Sequence, residues 1–171
     1  MKHYLFDTNI LGHLADLKDG NDSTECKALD KHMKERPEGT KILVCPISVG
    51  EVEYGVRVAP PDYDKQKLER FRKVVYEYSQ GDMDINANLA RNCYSVLRAK
   101  LYDHCFPSSK KKQRVEEWMN PTTSKELQIQ ENDLWIASVA MAYNLILVTQ
   151  DKMNVIKTVA GNDITFENWL V

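Results

Sequence analysis

The sequence predicts an α/β layered fold with a short, mainly parallel central sheet flanked by helices. Two observations predict it. Short apolar runs alternate along the chain with amphipathic stretches, the pattern of strands joined by helical crossovers. Those runs are continuously apolar, so both faces of each strand are expected to be covered. The length of 171 residues, with 43% hydrophobic and 28% charged side chains, suits one domain over 1–171. A chain of this size buries a core that needs no staple.

The elements follow in order. His3 to Phe6 reads as a buried strand, and Thr8 to Leu17 as a helix through Ile10, Leu11, Leu14 and Leu17. Asp22 or Ser23 caps a second helix through Arg36, which Pro37 and Gly39 end. Ile42 to Cys45 is the second strand. Ser48 to Val58 is a helix closed by Pro60-Pro61. Asp64 to Ser79 is a charged helix with Leu68, Phe71, Val75 and Tyr78 on one face, broken at Gly81. Ala87 to His104 is another amphipathic helix. Segment 107–130 is the least regular, with Ser108-Ser109 and Asn120-Pro121-Thr122-Thr123, and reads as an inserted loop with a short helix around Val115 to Met119. A substrate lid, a partner-binding arm and a tolerated insertion all fit it, the last best. Asp133 to Tyr143 is a buried helix, Leu145 to Val148 a strand, Lys152 to Val159 a short helix and Ile164 to Phe166 a final strand.

Composition excludes several classes. Cys26, Cys45, Cys93 and Cys105 form no CxxC pair and read as reduced thiols. Asp7 interrupts the apolar start, so no signal peptide is expected. The longest uncharged stretch, Leu134 to Gln150, is shorter than the roughly 20 apolar residues of a membrane span. A cytoplasmic protein with no membrane partner is the expectation. The net charge of −2 argues against non-specific coating of nucleic acid.

In a parallel sheet, sites form outside the carboxyl ends of the strands. Asp7-Thr8-Asn9 follows the first strand, Glu51 lies early in the helix after the second, and Thr149-Gln150-Asp151 follows the third. Asp133 opens the helix leading into that third strand. Each acid has a plain structural use. Asp7, Asp133 and Asp151 suit helix starts or turns, and Ser48-x-x-Glu51 fits a capping box. Four acids at one edge would nevertheless repel each other unless a cation binds. Carboxylates without His or Cys suit a hard ion, Mg²⁺ or Mn²⁺, and such a cluster is suited to phosphodiester cleavage. His3, His13, His32 and His104 have no zinc-ligand spacing.

These residues resemble the PIN-domain nucleases. Leu5-Phe6-Asp7-Thr8-Asn9-Ile10-Leu11 is similar to the family's opening strand, and Glu51-Val52-Glu53-Tyr54-Gly55 to its second motif. Asn132-Asp133-Leu134-Trp135-Ile136-Ala137 is similar to its third, and Val148-Thr149-Gln150-Asp151 to its last. Together with Trp169 near the terminus, the second motif resembles VapC-type toxins of toxin–antitoxin pairs. The resemblance implies a PIN-like three-layer α/β/α fold. It implies an Mg²⁺- or Mn²⁺-dependent endoribonuclease acting on RNA, a homodimer, and silencing by a cognate antitoxin. Asp7, Glu51, Asp133 and Asp151 would form the acidic quartet. Asp7, Asp133 and Asp151 would be metal ligands, with Glu51 orienting or deprotonating water. Asn9 and Thr149 would support them by hydrogen bonds. Glu53 should point elsewhere. Asn154 departs from the family, which often has an aromatic there.

Segment 65–114 carries twelve basic and five acidic side chains, +7, and the remainder eleven and twenty, −9. A basic middle beside an acidic edge suits a nuclease, with ordinary salt bridges the plain alternative. Lys110, Lys111, Lys112 and Arg114 are the expected RNA contacts, and Tyr94, Tyr102 or Trp118 candidate base-stacking rings. Leu14, Val52 and Tyr54 would supply an apolar groove for an antitoxin helix. Two other readings compete. A phosphohydrolase with Asp7 as nucleophile normally wants a second Asp two positions on, where this chain has Asn9. A non-catalytic PIN-like module should lack one or more of the acids.

Overall fold

A computed structural model describes residues 2–79, 83–106, 114–120, 122–151 and 153–171. Strand β1 (Tyr4–Phe6) leads into α1 (Thr8–Lys18) and α2 (Thr24–Glu35), then β2 (Ile42–Val44), α3 (Pro46–Val58) and α4 (Lys65–Tyr78). A helical rod follows as α5 (Ala87–Leu89), a π-helical segment (Ala90–Tyr94) and α6 (Ser95–Cys105). A 3₁₀ turn (Val115–Glu117), α7 (Glu131–Ala142), β3 (Ile146–Val148), α8 (Asn154–Ala160) and β4 (Thr165–Glu167) complete the order.

The four strands form one sheet in the order β2-β1-β3-β4, and every pairing is parallel. The register sets Phe6 beside Val44 and Val148, so three strands end level. Alternate side chains enter opposite cores. Tyr4, Phe6 and Val148 join Ile10, Leu11, Leu14, Leu29 and Trp169 on one face. Leu5 and Leu147 join Leu97, Leu101, Leu134 and Ile156 on the other. This is the α/β/α layering, and it explains why the strands are apolar throughout. Chain order reverses between β1 and β3, so the switch point of the sheet opens at the carboxyl ends of those two strands.

Most predicted elements stand within two residues of their places, with Ser23 and Asp64 as side-chain caps of α2 and α4. The third helix differs. It begins at Pro46, not Ser48, because proline suits the first helical position, where its missing N–H is no loss. Glu51 therefore lies in the second turn, and the Ser48–Glu51 capping box does not form. The Ser48 hydroxyl is buried with no hydrogen-bond partner among the described residues. The predicted helix from Ala87 is interrupted by the π-helical turn, where Tyr94 stacks on Trp135 with ring centroids 3.8 Å apart.

The irregular segment is no mere surface insertion in its described part. Val115, Trp118 and Ile129 are buried in the Leu134 core, and an antiparallel bridge pairs Met119 with Glu126. Among the described residues, no helix is long and apolar enough to cross a membrane.

Candidate active site

The site is built from the ends of β1 and β3 and the starts of α3 and α7. Asp7 follows β1 and caps α1, its Oδ1 accepting from the Thr8 N–H at 2.7 Å. Its Oδ2 accepts from the Thr149 hydroxyl at 2.7 Å and from the Asn9 amide at 3.2 Å. The same Thr149 oxygen accepts from the Asp151 N–H at 3.0 Å, and Asn9 Oδ1 accepts from the Gln150 N–H at 3.3 Å. The two strand ends are thus tied together through Asp7, as a side chain only 3% exposed requires.

Glu51 is held from two other elements. Its Oε2 accepts from the Thr8 hydroxyl at 2.5 Å, and its Oε1 from the Asn132 amide at 2.8 Å. Asp133, third residue of α7, accepts from the Gln130 N–H through Oδ2 at 2.6 Å. Asp151 is exposed at the rim. Asp7, Glu51, Asp133 and Asp151 all line one cleft of about 770 Å³, with Asn9, Tyr54, Gln128, Gln130 and Asn132. The helix-capping uses expected for Asp7 and Asp133 are real, and both side chains face the cleft as well.

Electrostatics at the site follow from burial and mutual repulsion. Burial raises the Asp7 carboxyl above its usual range, Thr149 and Thr8 pull it back, and Asp151 and Glu51 push it up again. Asp133 is pushed up to about 6, first by burial, against the Gln130 hydrogen bond, and further by Asp7, Asp151 and Glu51. Among the described residues, no three His, Cys, Asp or Glu side chains stand close enough together to hold a metal ion between them. The donors are oxygens only, the set a hard divalent ion takes. Such an ion keeps several waters and needs one or two direct carboxylates, so an open cleft fits it.

A stability consequence follows. Folded Asp133 binds its proton up to about pH 6, whereas the unfolded residue releases it near 3.8. The Asp133 contribution to stability of the metal-free fold is therefore fully present below the lower value and is lost as pH rises through about 6. Asp133→Asn keeps an acceptor for Gln130 and removes the charge. With solvent screening the half-buried group, the gain is about 1–2 kcal/mol near neutral pH, a few degrees of Tm. Thermal melts in chelator should show the gain shrinking toward about pH 4. An equal gain at both pH values would contradict this account.

Other expected residues fare unevenly. Lys110, Lys111 and Lys112 lie outside the described residues, and Arg114 is exposed. Of the remaining basic residues in that stretch, Lys67, Arg70, Arg72, Arg98 and Lys100 are ion-paired with Asp16, Asp19, Glu53, Glu131 and Asp163. Much of the positive stretch is therefore a salt-bridged helical surface. Glu53 points away from the acids, accepting from Arg72, Arg57 and Tyr76. The aromatic candidates are committed to packing: Tyr94 to Trp135, and Tyr102 and Phe106 to Trp118, itself 2% exposed. Leu14 and Val52 are buried in the core, so of the expected antitoxin groove only Tyr54 is open, at 67% exposure. The sequence reading missed Thr8 and Asn132 as the partners of Glu51. Their signal was adjacency to Asp7 and Asp133.

The PIN domain family matches residues 4–162. A chain in the crystal structure of VapBC2 from Rickettsia felis, bound to a DNA fragment from their promoter, shares the fold. Its TM-score is 0.59 and its identity 22%, over 97% of this chain and 98% of that one. No curated protein sequence matches. With the match running from the first strand past α8 and enclosing all four acids, the chain belongs to the PIN-domain family.

Proposed function

We propose that the chain is a divalent-metal-dependent endoribonuclease, the toxin of a toxin–antitoxin pair, acting as a cytoplasmic homodimer until an antitoxin protein silences it. The observation that carries the reading is the convergence of Asp7, Glu51, Asp133 and Asp151 on one cleft at the switch point of the sheet. Two of these carboxyls are raised partly by the others' fields, an arrangement that a cation stabilises. Likeness to a VapBC2 chain supports the toxin reading at the level of fold.

Asp7 and Asp133 would hold Mg²⁺ or Mn²⁺ directly, with Asp151 as an outer or second-metal ligand. When bound, the ion polarises the phosphoryl oxygen and lowers the pKa of a coordinated water. The chain supplies the positioning. Thr149 and Asn9 lock the Asp7 carboxylate, and Thr8 and Asn132 fix the Glu51 side chain facing the cleft, placed to orient a water or take its proton. Arg114, with Lys110, Lys111 and Lys112, would contact RNA phosphates.

The phosphohydrolase alternative is disfavoured by the same geometry. Both Asp7 oxygens are engaged, and Asn9 donates to Asp7 where a nucleophile mechanism wants an acid–base partner. A non-catalytic module is disfavoured by retention of all four acids.

The test is incubation of purified protein with total RNA in Mn²⁺, Mg²⁺ or EDTA. Cleavage is expected with either metal and absent in EDTA. Persistence in EDTA would overturn the metal mechanism. Growth arrest on expression, relieved by Asp133→Asn, is expected of a toxin and not of a housekeeping nuclease.

A further inference from the structure

A second cleft of about 610 Å³ adjoins the acidic one, and Gln128 and Asp151 line both. We propose that this second cleft is a nucleobase-reading subsite, taking an unpaired base, adenine foremost, next to the scissile phosphate through Gln128, Gln150 and Asn154. The proposal rests on the nuclease reading and deepens it by naming what the site selects in its substrate.

The chemistry of the lining carries it. Three side-chain amides, Gln128, Gln150 and Asn154, border the cleft and make no hydrogen bond to another described residue. An amide offers a donor and an acceptor side by side, which matches the N6 and N7 edge of adenine. Leu127, Met153 and Val155 supply an apolar wall against which a base can lie flat. Apolar walls with a few convergent polar groups are the usual make-up of a small-molecule pocket, and the volume falls within the common range of about 300–1,000 Å³. Lys125 on the same lining can meet a phosphate.

Position is set by the fold. Gln150 follows β3, where its N–H is fixed on Asn9, and Asn154 opens α8. Gln128 keeps a left-handed backbone (φ +57°) beside the extended approach to α7. Because Asp151 belongs to both clefts, a base here is a near neighbour of the phosphate at the acids. A base inside a duplex cannot enter such a pocket, so the substrate strand is unpaired at this position.

The test uses the Asp7→Asn protein, expected to bind without cutting, and fluorescent single strands of about eight nucleotides that differ only in one central base. Anisotropy is expected to rank adenine tightest by about tenfold, in line with one bidentate amide contact. Adding Gln128→Ala and Asn154→Ala should flatten the ranking to within about twofold. Gln128→Glu, which nearly keeps the shape but only accepts, should move the preference toward cytosine and its N4 donor. Melting curves check that each variant folds. No base preference in the parent, or the same preference in the variants, overturns the subsite. Base-dependent binding by a wild type that cuts nothing in Mn²⁺ would uphold the subsite and sink the nuclease reading. Cutting with no base dependence would do the reverse.

Discussion

Asp7→Asn is expected to lower metal-dependent RNA cleavage at least about 100-fold, a loss of several kcal/mol of charge stabilisation at the reacting phosphate. The substitution keeps the shape, removes the charge and turns one acceptor oxygen into a donor. Asparagine is as good a helix cap as aspartate, so the bond from the Thr8 N–H survives. An amide nitrogen, a donor, now stands where Oδ2 accepted, so the Asn9 amide loses its acceptor and the Thr149 hydroxyl must turn to accept instead. Relief of a buried, raised carboxyl works the other way. The Tm should therefore stay within a few degrees of the parent's. Single-turnover cleavage in Mn²⁺, paired with a thermal melt, separates lost chemistry from lost fold. Activity within tenfold of the parent would remove Asp7 from the proposed metal set.

Trp169→Ala is expected to cost about 3–5 kcal/mol of stability and on the order of 10 °C in Tm. The indole is 2% exposed. It meets Tyr4 and Phe6 edge-on, with centroids 4.7 and 5.2 Å away, and stacks on His32 at 5.4 Å. Its N–H donates to Glu167 at 2.7 Å. One ring therefore ties the C-terminal end of the chain to β1 and α2. Trp169→Phe keeps an aromatic ring and loses that hydrogen bond, so a smaller loss is expected. Chemical denaturation of the three proteins checks the order, and an alanine variant as stable as the phenylalanine one would refute it.

The site was legible where function and local structure share a residue. Asp7, Asp133 and Asp151 lie at element junctions because junctions at the sheet edge are where side chains can leave the layers, and the order of strands names the edge. Glu51 lines the cleft with them, and the plain structural use weighed against it is absent. It is not a capping partner of Ser48, since Pro46 starts the helix earlier and turns Glu51 toward Thr8 and Asn132. The basic stretch misled in part, because a charge count cannot register that Lys67, Arg70 and Arg72 have acids across the helix surface. Trp118 misled for a similar reason. In an irregular segment no periodicity marks the buried side, and only packing against Tyr102 and Phe106 does.

By itself, then, the sequence determined the alternation of strands and helices, the covered sheet and the acids at its edge. Those rest on local propensity and apolar patterning, which act over a few residues. Tertiary structure alone decided which pairs meet: Thr8 with Glu51, Asn132 with Glu51, and Thr149 with Asp7. Apart from Thr8 and Glu51, 43 residues apart, these donors lie far along the chain from their acceptors, with Thr149 and Asp7 142 apart. Such contacts depend on strand order and on side-chain direction, and no local pattern encodes either.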